Sequence, residues 1–175
     1  MKHIIYCKKG SGNIEDIQKA PGIKGMLNSF ANIVMSCESR SSIAFIGIPY
    51  TCTPLVDFFV YVVRDMCEKK YYIPESDFKT AYELYLGKHR VEARPANIEK
   101  VDIVVILGGL AMPEKWEIEE VKGAIEILSH EGTTIVGACF MDIFKKAGWV
   151  KTIPFDYVEN SYLSTDAYKN NFKDE

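Results

Sequence analysis

Hydrophobic and polar residues follow two patterns along this chain, one with helical spacing and one of short continuous apolar runs. The helical pattern is clearest in six apolar side chains spaced three or four residues apart: Ile23, Met26, Leu27, Phe30, Ile33 and Val34. This spacing predicts an amphipathic helix that begins near residue 23. The continuous runs cover residues 43–48, 101–107 and 133–138, and their turn-residue boundaries are typical of strands buried on both faces.

Helix start and stop signals predict the elements between these strands. Thr53 followed by Pro54 indicates a helix that runs to about residue 66, because threonine caps helices and proline suits the first turn. Ser76 or Asp77 would begin another helix that Gly87 ends. A third helix carries four apolar side chains on one face: Ile118, Val121, Ile125 and Leu128.

The remaining elements are shorter. We expect strands at residues 2–7 and 70–73, an edge strand around residues 90–92, a short helix at 141–147 and an edge strand at 155–159. Alternation of buried strands with amphipathic helices is typical of βαβ units. The fold class predicted is therefore α/β: a single Rossmann-like, doubly wound, mostly parallel sheet of four or five strands with helices on both faces.

Length and composition fit one such domain. The chain has 175 residues, and 47% of them are hydrophobic. We divide it into an N-terminal extension (1–22), the α/β domain (23–165) and a polar C-terminal tail (166–175). The 21 basic and 24 acidic side chains give a net charge of −3, which argues against a nucleic-acid partner.

The cysteines and the apolar segments bear on location. Five cysteines at irregular spacing include no Cys-x-x-Cys pair, so we expect free thiols in a reducing cytoplasm and no metal site. The N-terminus lacks the apolar run of a signal peptide, and the longest apolar stretch, residues 55–63, is too short to cross a bilayer. No membrane partner is therefore expected, whereas tyrosines such as Tyr71 are compatible with a homo-oligomer.

Ligands of doubly wound sheets bind beyond the carboxyl ends of the strands. Three loops should leave those ends, at residues 47–53, 108–113 and 137–142, and we call them the rim loops. Each has a glycine where backbone can approach a ligand closely. The predicted ligand-binding residues all lie in the rim loops: Gly47, Pro49, Thr51, Cys52, Thr53, Gly108, Gly109, Met112, Cys139 and Asp142. Tyr50 and Trp116 are candidate apolar walls.

Cys52 is the candidate catalytic residue. It precedes a predicted helix N-terminus, where unpaired N–H groups can lower the pKa of a thiol and favour a nucleophilic thiolate. The alternative is a small packing residue in a tight turn, since free cysteine is among the most buried side chains. The same two interpretations apply to Cys139, and a joint dithiol role for the two cysteines is a further hypothesis.

Gly108 and Gly109 form a candidate anion cradle, because their amides can face a phosphate or carboxylate. The chain has neither Gly-x-Gly-x-x-Gly nor a Walker lysine motif, so a tight strand-to-helix turn is the competing interpretation. Its three histidines, His3, His89 and His130, fall outside the rim loops. A Ser-His-Asp or Cys-His catalytic machine is therefore poorly supported.

Several loop strings are distinctive when taken together: residues 25–30, 46–49 with 52–54, 107–113, and 137–144 with 147–149. In these strings the chain resembles a family of uncharacterised archaeal proteins, found mainly in methanogens and catalogued as a domain of unknown function. The resemblance covers residues 22–165. It implies an archaeal cytoplasmic origin, and it implies no activity, cofactor or catalytic residue.

Three functional hypotheses follow. The first is a cytoplasmic protein that binds a small anionic or nucleotide-like ligand at the carboxyl edge of the sheet. The second is a thiol-dependent or redox enzyme that uses Cys52 with or without Cys139. The third is a non-catalytic assembly or regulatory subunit, in which the rim loops are only tight turns. The sequence identifies no cofactor.

Overall fold

The computed structural model describes residues 2–9, 13–75, 77–112 and 117–167, within which nine strands form one mixed sheet. The strands are β1 (Lys2–Lys9), β2 (Asn13–Pro21), β3 (Ser42–Gly47), β4 (Lys69–Pro74), β5 (Tyr82–Leu86), β6 (Val91–Pro95), β7 (Ile103–Leu107), β8 (Thr134–Phe140) and β9 (Tyr157–Tyr162). Their order is β2-β1-β9-β8-β7-β3-β4-β5-β6. The α/β class is confirmed. The predicted count of four or five strands is wrong, because an antiparallel hairpin extends the sheet on each side.

The centre of the sheet consists of five parallel strands, in the order β4-β3-β7-β8-β9. Counted along the chain this order is 2-1-3-4-5, so the direction of winding reverses between β3 and β7. The helices are α1 (Gly22–Ser36), α2 (Thr53–Val62), α3 (Ile118–Leu128), α4 (Ile143–Lys146) and α5 (Trp149–Thr152). Because β3–α2–β4 and β7–α3–β8 wind in opposite directions, right-handed crossovers put α2 and α3 on opposite faces.

One aromatic cluster fixes α1 and α2 on the same face of the sheet. Phe30 of α1 stacks on Phe59 of α2 with ring centroids 3.9 Å apart, and Phe45 of β3 lies beneath both rings. All three side chains are fully buried. The apolar stripe predicted for α1 therefore forms the core, apart from Ile23, which is half exposed in the first turn.

Two predictions are wrong: the helix that Gly87 was expected to end, and the edge position of β9. Residues 82–86 form β5 rather than a helix, because they pair with the outer edge of β4 and with β6. Asp77 caps only a short 3₁₀ turn, where its side chain accepts from the Lys79 amide at 3.0 Å, and Ser76 lies outside the described residues. The strand expected at the sheet edge, β9, lies between β8 and β1.

The N-terminal segment contributes two strands. β1 confirms the predicted strand, and β2 is a second strand in the predicted N-terminal extension, where no further element was expected. β1 pairs antiparallel with β9, so the hairpin continues the sheet. The division of the chain at residues 22 and 165 stays a prediction, and the predicted tail beyond residue 167 lies outside the described residues. No helix in the described ranges is long and apolar enough to cross a membrane.

Candidate ligand-binding pocket

A cavity of about 240 Å³ lies at the carboxyl ends of β3, β7 and β8, where the winding direction reverses. We call it the apolar pocket. Its lining residues are Thr51, Cys52, Leu55, Leu107, Gly108, Gly109, Met112, Ala138, Phe140 and Ile143. They come from all three rim loops and from the strands and helices beside them, so residues distant in sequence meet here.

Glycine lets the rim loops approach one another this closely. A Cβ on Gly109 would lie 2.6 Å from the Cys52 Sγ, and one on Gly108 would lie 2.6 Å from the Cys139 Cβ. A Cβ on Gly47 would lie 2.7 Å from the Leu107 Cδ1. All three distances are shorter than real side-chain contacts, so a larger residue would push the loops apart.

The pocket is poor in charge. None of its described lining residues carries an ionisable acid or base, apart from the thiol of Cys52. Several backbone amides of the first two rim loops already donate within their own turns: Thr51 N to Pro49 O, Cys52 N to Ile48 O, and Met112 N to Gly109 O. These three amides are therefore not free to bind an anion, whereas the cradle hypothesis concerns the amides of Gly108 and Gly109, which are not among them.

Cys52 forms part of the wall, at the N-cap position of α2. Its side chain is only 4% exposed. Burial raises the pKa of its thiol, and the nearby backbone groups of Ile48 and Gly109 only partly offset this effect. The predicted lowering of the pKa is wrong, because desolvation outweighs the helix N-terminus. A neutral thiol can contact a ligand, but it is a weak nucleophile.

The structure brings together five of the ten predicted ligand-binding residues: Thr51, Cys52, Gly108, Gly109 and Met112. Three other predicted residues do not line the pocket. Gly47 lies close to Leu107 and Cys52, the carbonyl of Pro49 accepts a hydrogen bond from the Thr51 amide, and Thr53 is the first residue of α2. The candidate wall Tyr50 is 93% exposed and does not line the pocket. Pro113 and Trp116 lie outside the described residues.

The two other predicted residues, Cys139 and Asp142, line a second cavity of about 230 Å³ with Asn160 and Lys145. Burial raises the pKa of Cys139 to about 12, and its Sγ lies 3.4 Å from the Asn160 Oδ1. Asp142 accepts from Asn160 Nδ2 at 3.0 Å and from the Tyr162 hydroxyl at 2.6 Å. Successive side chains of a strand point to opposite faces, so Cys139 is directed away from the pocket that Ala138 and Phe140 line.

Sequence reasoning missed five lining residues, all apolar: Leu55, Leu107, Ala138, Phe140 and Ile143. Leu107 and Ala138 belong to runs that predicted buried strands, so their apolar character indicated core. Both residues lie near the ends of those runs, and this position was the signal that could have identified them as lining residues. A side chain at the last position of a strand can face a cavity instead of the core.

Asp57 and His130, an acid and a base of the described chain, both lie away from the apolar pocket. Asp57 is exposed on α2, and His130 lies at the opposite edge of the sheet, 3.3 Å from Asp102. Within the described part of the chain, no three or more His, Cys, Asp or Glu side chains are grouped so as to hold a metal ion. The described lining residues of the apolar pocket therefore offer a ligand contacts with uncharged side chains and with glycine backbone.

Comparison with known proteins identifies relatives over nearly the whole chain. Residues 21–164 match the family described as "Uncharacterized protein conserved in archaea (DUF2124)". An uncharacterised protein of Methanothermobacter thermautotrophicus is 38% identical over 149 residues, which cover 85% of this chain and 94% of the relative. An uncharacterised protein of Methanocaldococcus jannaschii is 33% identical over 87% of this chain and 92% of its own length.

A solved structure shows the same fold. The crystal structure of a protein of unknown function from Methanothermobacter thermautotrophicus superposes with a TM-score of 0.83 at 35% identity. The match covers 91% of this chain and all of that one.

Proposed function

This chain belongs to the DUF2124 family of archaeal proteins, and we propose that it binds a small molecule with an uncharged, planar body in the apolar pocket. The observation that carries the proposal is the pocket itself, a charge-poor cavity at the point where the winding of the parallel strands reverses. Ligands of doubly wound sheets bind at that point. The Rossmann-like character and the cytoplasmic location predicted from the sequence remain part of the proposal.

Of the two predicted ligand classes, the ring of a nucleotide-like molecule suits this pocket better than a compact anion. Leu107, Phe140 and Ile143 offer apolar contact to a ring, and no basic side chain among the described lining residues would balance a negative charge. An ion moved from water into such a site loses its hydration without gaining a partner. Any anionic group of the ligand should therefore remain outside the apolar pocket.

The thiol-enzyme hypothesis has less support. The raised pKa of Cys52 keeps its thiol protonated near neutral pH, and Cys139 faces a different cavity. Cys52 is accordingly proposed as a contact residue of the wall rather than as a nucleophile. The assembly-subunit hypothesis and the possible homo-oligomer stay predictions.

Binding can be tested with three probes: quinoline, adenosine and inorganic phosphate. Dissociation constants would be measured by NMR titration of the wild type and of Ala138→Leu, which fills the cavity. We expect quinoline and adenosine to bind the wild type more tightly than phosphate, and Ala138→Leu to weaken them at least about tenfold, or about 1.4 kcal/mol.

The control is Ala93→Leu, on the exposed face of the edge strand β6, which should bind like the wild type. The proposal fails if phosphate is the preferred probe, if no ring compound binds, or if Ala138→Leu binds as well as the control.

A further inference from the structure

One acidic side chain is buried beside the apolar pocket without an evident structural role. Glu159 lies in the middle of β9 and is 1% exposed. Neither of its carboxyl oxygens has a hydrogen-bond partner among the described residues. Burial raises its pKa well above the usual range, and a buried carboxyl group with no partner for its charge favours the neutral acid.

Such a residue destabilises the fold. A buried polar group without a hydrogen bond costs free energy, and a leucine of similar size would contribute apolar contacts at the same position. The covering helix α1 adds a second group of this kind, because the Ser29 Oγ is also buried without a partner in the described part of the chain. Packing explains neither group, and a ligand beside Glu159 would give its carboxyl group the partner that the described part of the fold does not supply.

Strand register places Glu159 next to the pocket. Leu107 of β7 lies opposite Ala138 of β8, and Ala138 lies opposite Glu159 of β9. Directly paired residues project from the same face of a sheet, and neighbouring strands are roughly 4.8 Å apart. Leu107 and Ala138 line the pocket, so Glu159 is the next side chain in the same row. Glu159 is not itself a lining residue, so its carboxyl group would have to rotate past the methyl group of Ala138 to reach a bound ligand.

We propose that Glu159 is the polar recognition residue of the apolar pocket and that it selects a planar ligand with a lactam or amidine edge. This inference rests on the proposed function above. A neutral carboxylic acid offers one donor and one acceptor side by side. The matching ligand presents an adjacent acceptor and donor, as the N–H and C=O of a lactam do, and two parallel hydrogen bonds would form.

A pair of probes isolates this interaction. 2-Quinolone carries the lactam N–H, and N-methyl-2-quinolone has the same ring and carbonyl without the donor. We expect the wild type to bind 2-quinolone at least about tenfold more tightly than the N-methyl compound in NMR titrations, because the methylated ring leaves the Glu159 acceptor unpaired. Glu159→Gln should keep the preference, since a primary amide also offers adjacent donor and acceptor. Glu159→Leu should abolish it.

Unfolding measurements separate recognition from a structural role. Glu159→Leu removes an unpartnered buried acid, so its urea midpoint should rise above that of the wild type. If Glu159 instead stabilises the fold, the urea midpoint of Glu159→Leu should fall below that of the wild type. The matched control is Glu120→Leu, an exposed position on α3, which should leave the probe preference unchanged.

The two proposals fail differently. If N-methyl-2-quinolone binds the wild type and does not bind Ala138→Leu, the pocket binds planar molecules, and the proposed function holds independently of Glu159. Equal affinity of the wild type for both probes, or an unchanged preference in Glu159→Leu, overturns the role of Glu159 alone. Absence of binding by either probe overturns both.

Discussion

The two edges of the parallel sheet contrast sharply. At the carboxyl edge, the rim loops enclose an apolar pocket bounded by close-approaching glycines. At the amino edge, Asp102 is the centre of a polar network: its Oδ2 accepts from the Ser41 hydroxyl at 2.5 Å and from the Ser42 amide at 3.0 Å, and its Oδ1 lies 3.3 Å from His130 Nε2.

Serine, aspartate and histidine together suggest catalysis, yet here they form a structural unit. The Ser41 hydroxyl donates to Asp102 and not to His130, and a carboxylate whose pKa lies below the usual range is a weak general base for activating a nucleophile. Asp102 is almost fully buried, and its donors hold its pKa well below the usual range against the opposing effect of burial. Satisfied hydrogen bonds stabilise the amino edge. The carboxyl edge instead contains the apolar pocket and, next to it, Glu159, whose carboxyl group has no partner among the described residues. The contrast teaches that unfilled space at the carboxyl edge is a better guide to a candidate site than the polar residues of the amino edge are.

The largest expected effect comes from removing the centre of the polar network. Asp102→Ala leaves the Ser41 hydroxyl and the Ser42 amide without their acceptor, and we expect it to lower the free energy of unfolding by about 3 kcal/mol. Urea denaturation measures this loss. Ligand binding at the carboxyl edge should be unchanged in the folded fraction, and a binding defect would contradict the separation of the two edges.

Gly109→Ala tests the close approach at the carboxyl edge. Its new Cβ would meet the Cys52 Sγ at 2.6 Å, so we expect a loss of about 1–3 kcal/mol of stability and weaker binding of quinoline. Gly123→Ala in α3 is the matched control. It has open space around its Cβ and should gain up to about 1 kcal/mol. Wild-type stability in Gly109→Ala would show that the loops are not in tight contact.

Acid should selectively weaken the amino edge. The folded pKa of Asp102 lies below its unfolded value of about 3.9, so its stabilising contribution is fully present above that value and is lost as the pH falls toward the folded pKa. The difference in unfolding free energy between the wild type and Asp102→Asn should therefore be larger at pH 6 than at pH 3. The exposed control Asp65→Asn should differ little from the wild type at either pH.

Thiol labelling gives the smallest effect, since it leaves the fold unchanged. At pH 8, iodoacetamide should modify Cys52 at least about tenfold more slowly than a free cysteine peptide, because burial raises the pKa and restricts access. Cys139 should react more slowly still, with its pKa near 12. Peptide mass mapping distinguishes the sites. Faster labelling of Cys52 than of the free peptide would restore the nucleophile hypothesis.

The elements that the sequence predicted correctly are those whose pattern is local. The stripe of α1 and the apolar runs of β3, β7 and β8 each carry their own period, and the chain forms them where expected. β5 was predicted as a helix because Asp77 and Gly87 are plausible helix boundaries. Its pairing with β4 and β6 lies outside any local window, and tertiary pairing outweighed those signals.

The same limit applies to the candidate site. Cys52, Gly108 and Gly109 could be identified as candidate ligand-binding residues because strand ends and turn residues are recognisable in the sequence. The carboxyl ends of parallel strands meet at one edge of the sheet, which places these three residues together. Phe140 and Ile143 could not be distinguished from core residues. The pKa of Cys52 was predicted in the wrong direction, because it is raised by burial, which depends on residues remote in the chain.

The sequence by itself determined the α/β class, the family, the buried strands at the centre of the sheet and the edge where a pocket lies. These properties depend on periodicity and on residue strings, which are local. Only the tertiary structure decided the strand order, the antiparallel hairpins at both ends of the sheet, the protonated state of Cys52 and the position of Glu159 beside Ala138. Each of these depends on contacts between residues far apart in the chain, where burial and register, not spacing, determine the energy.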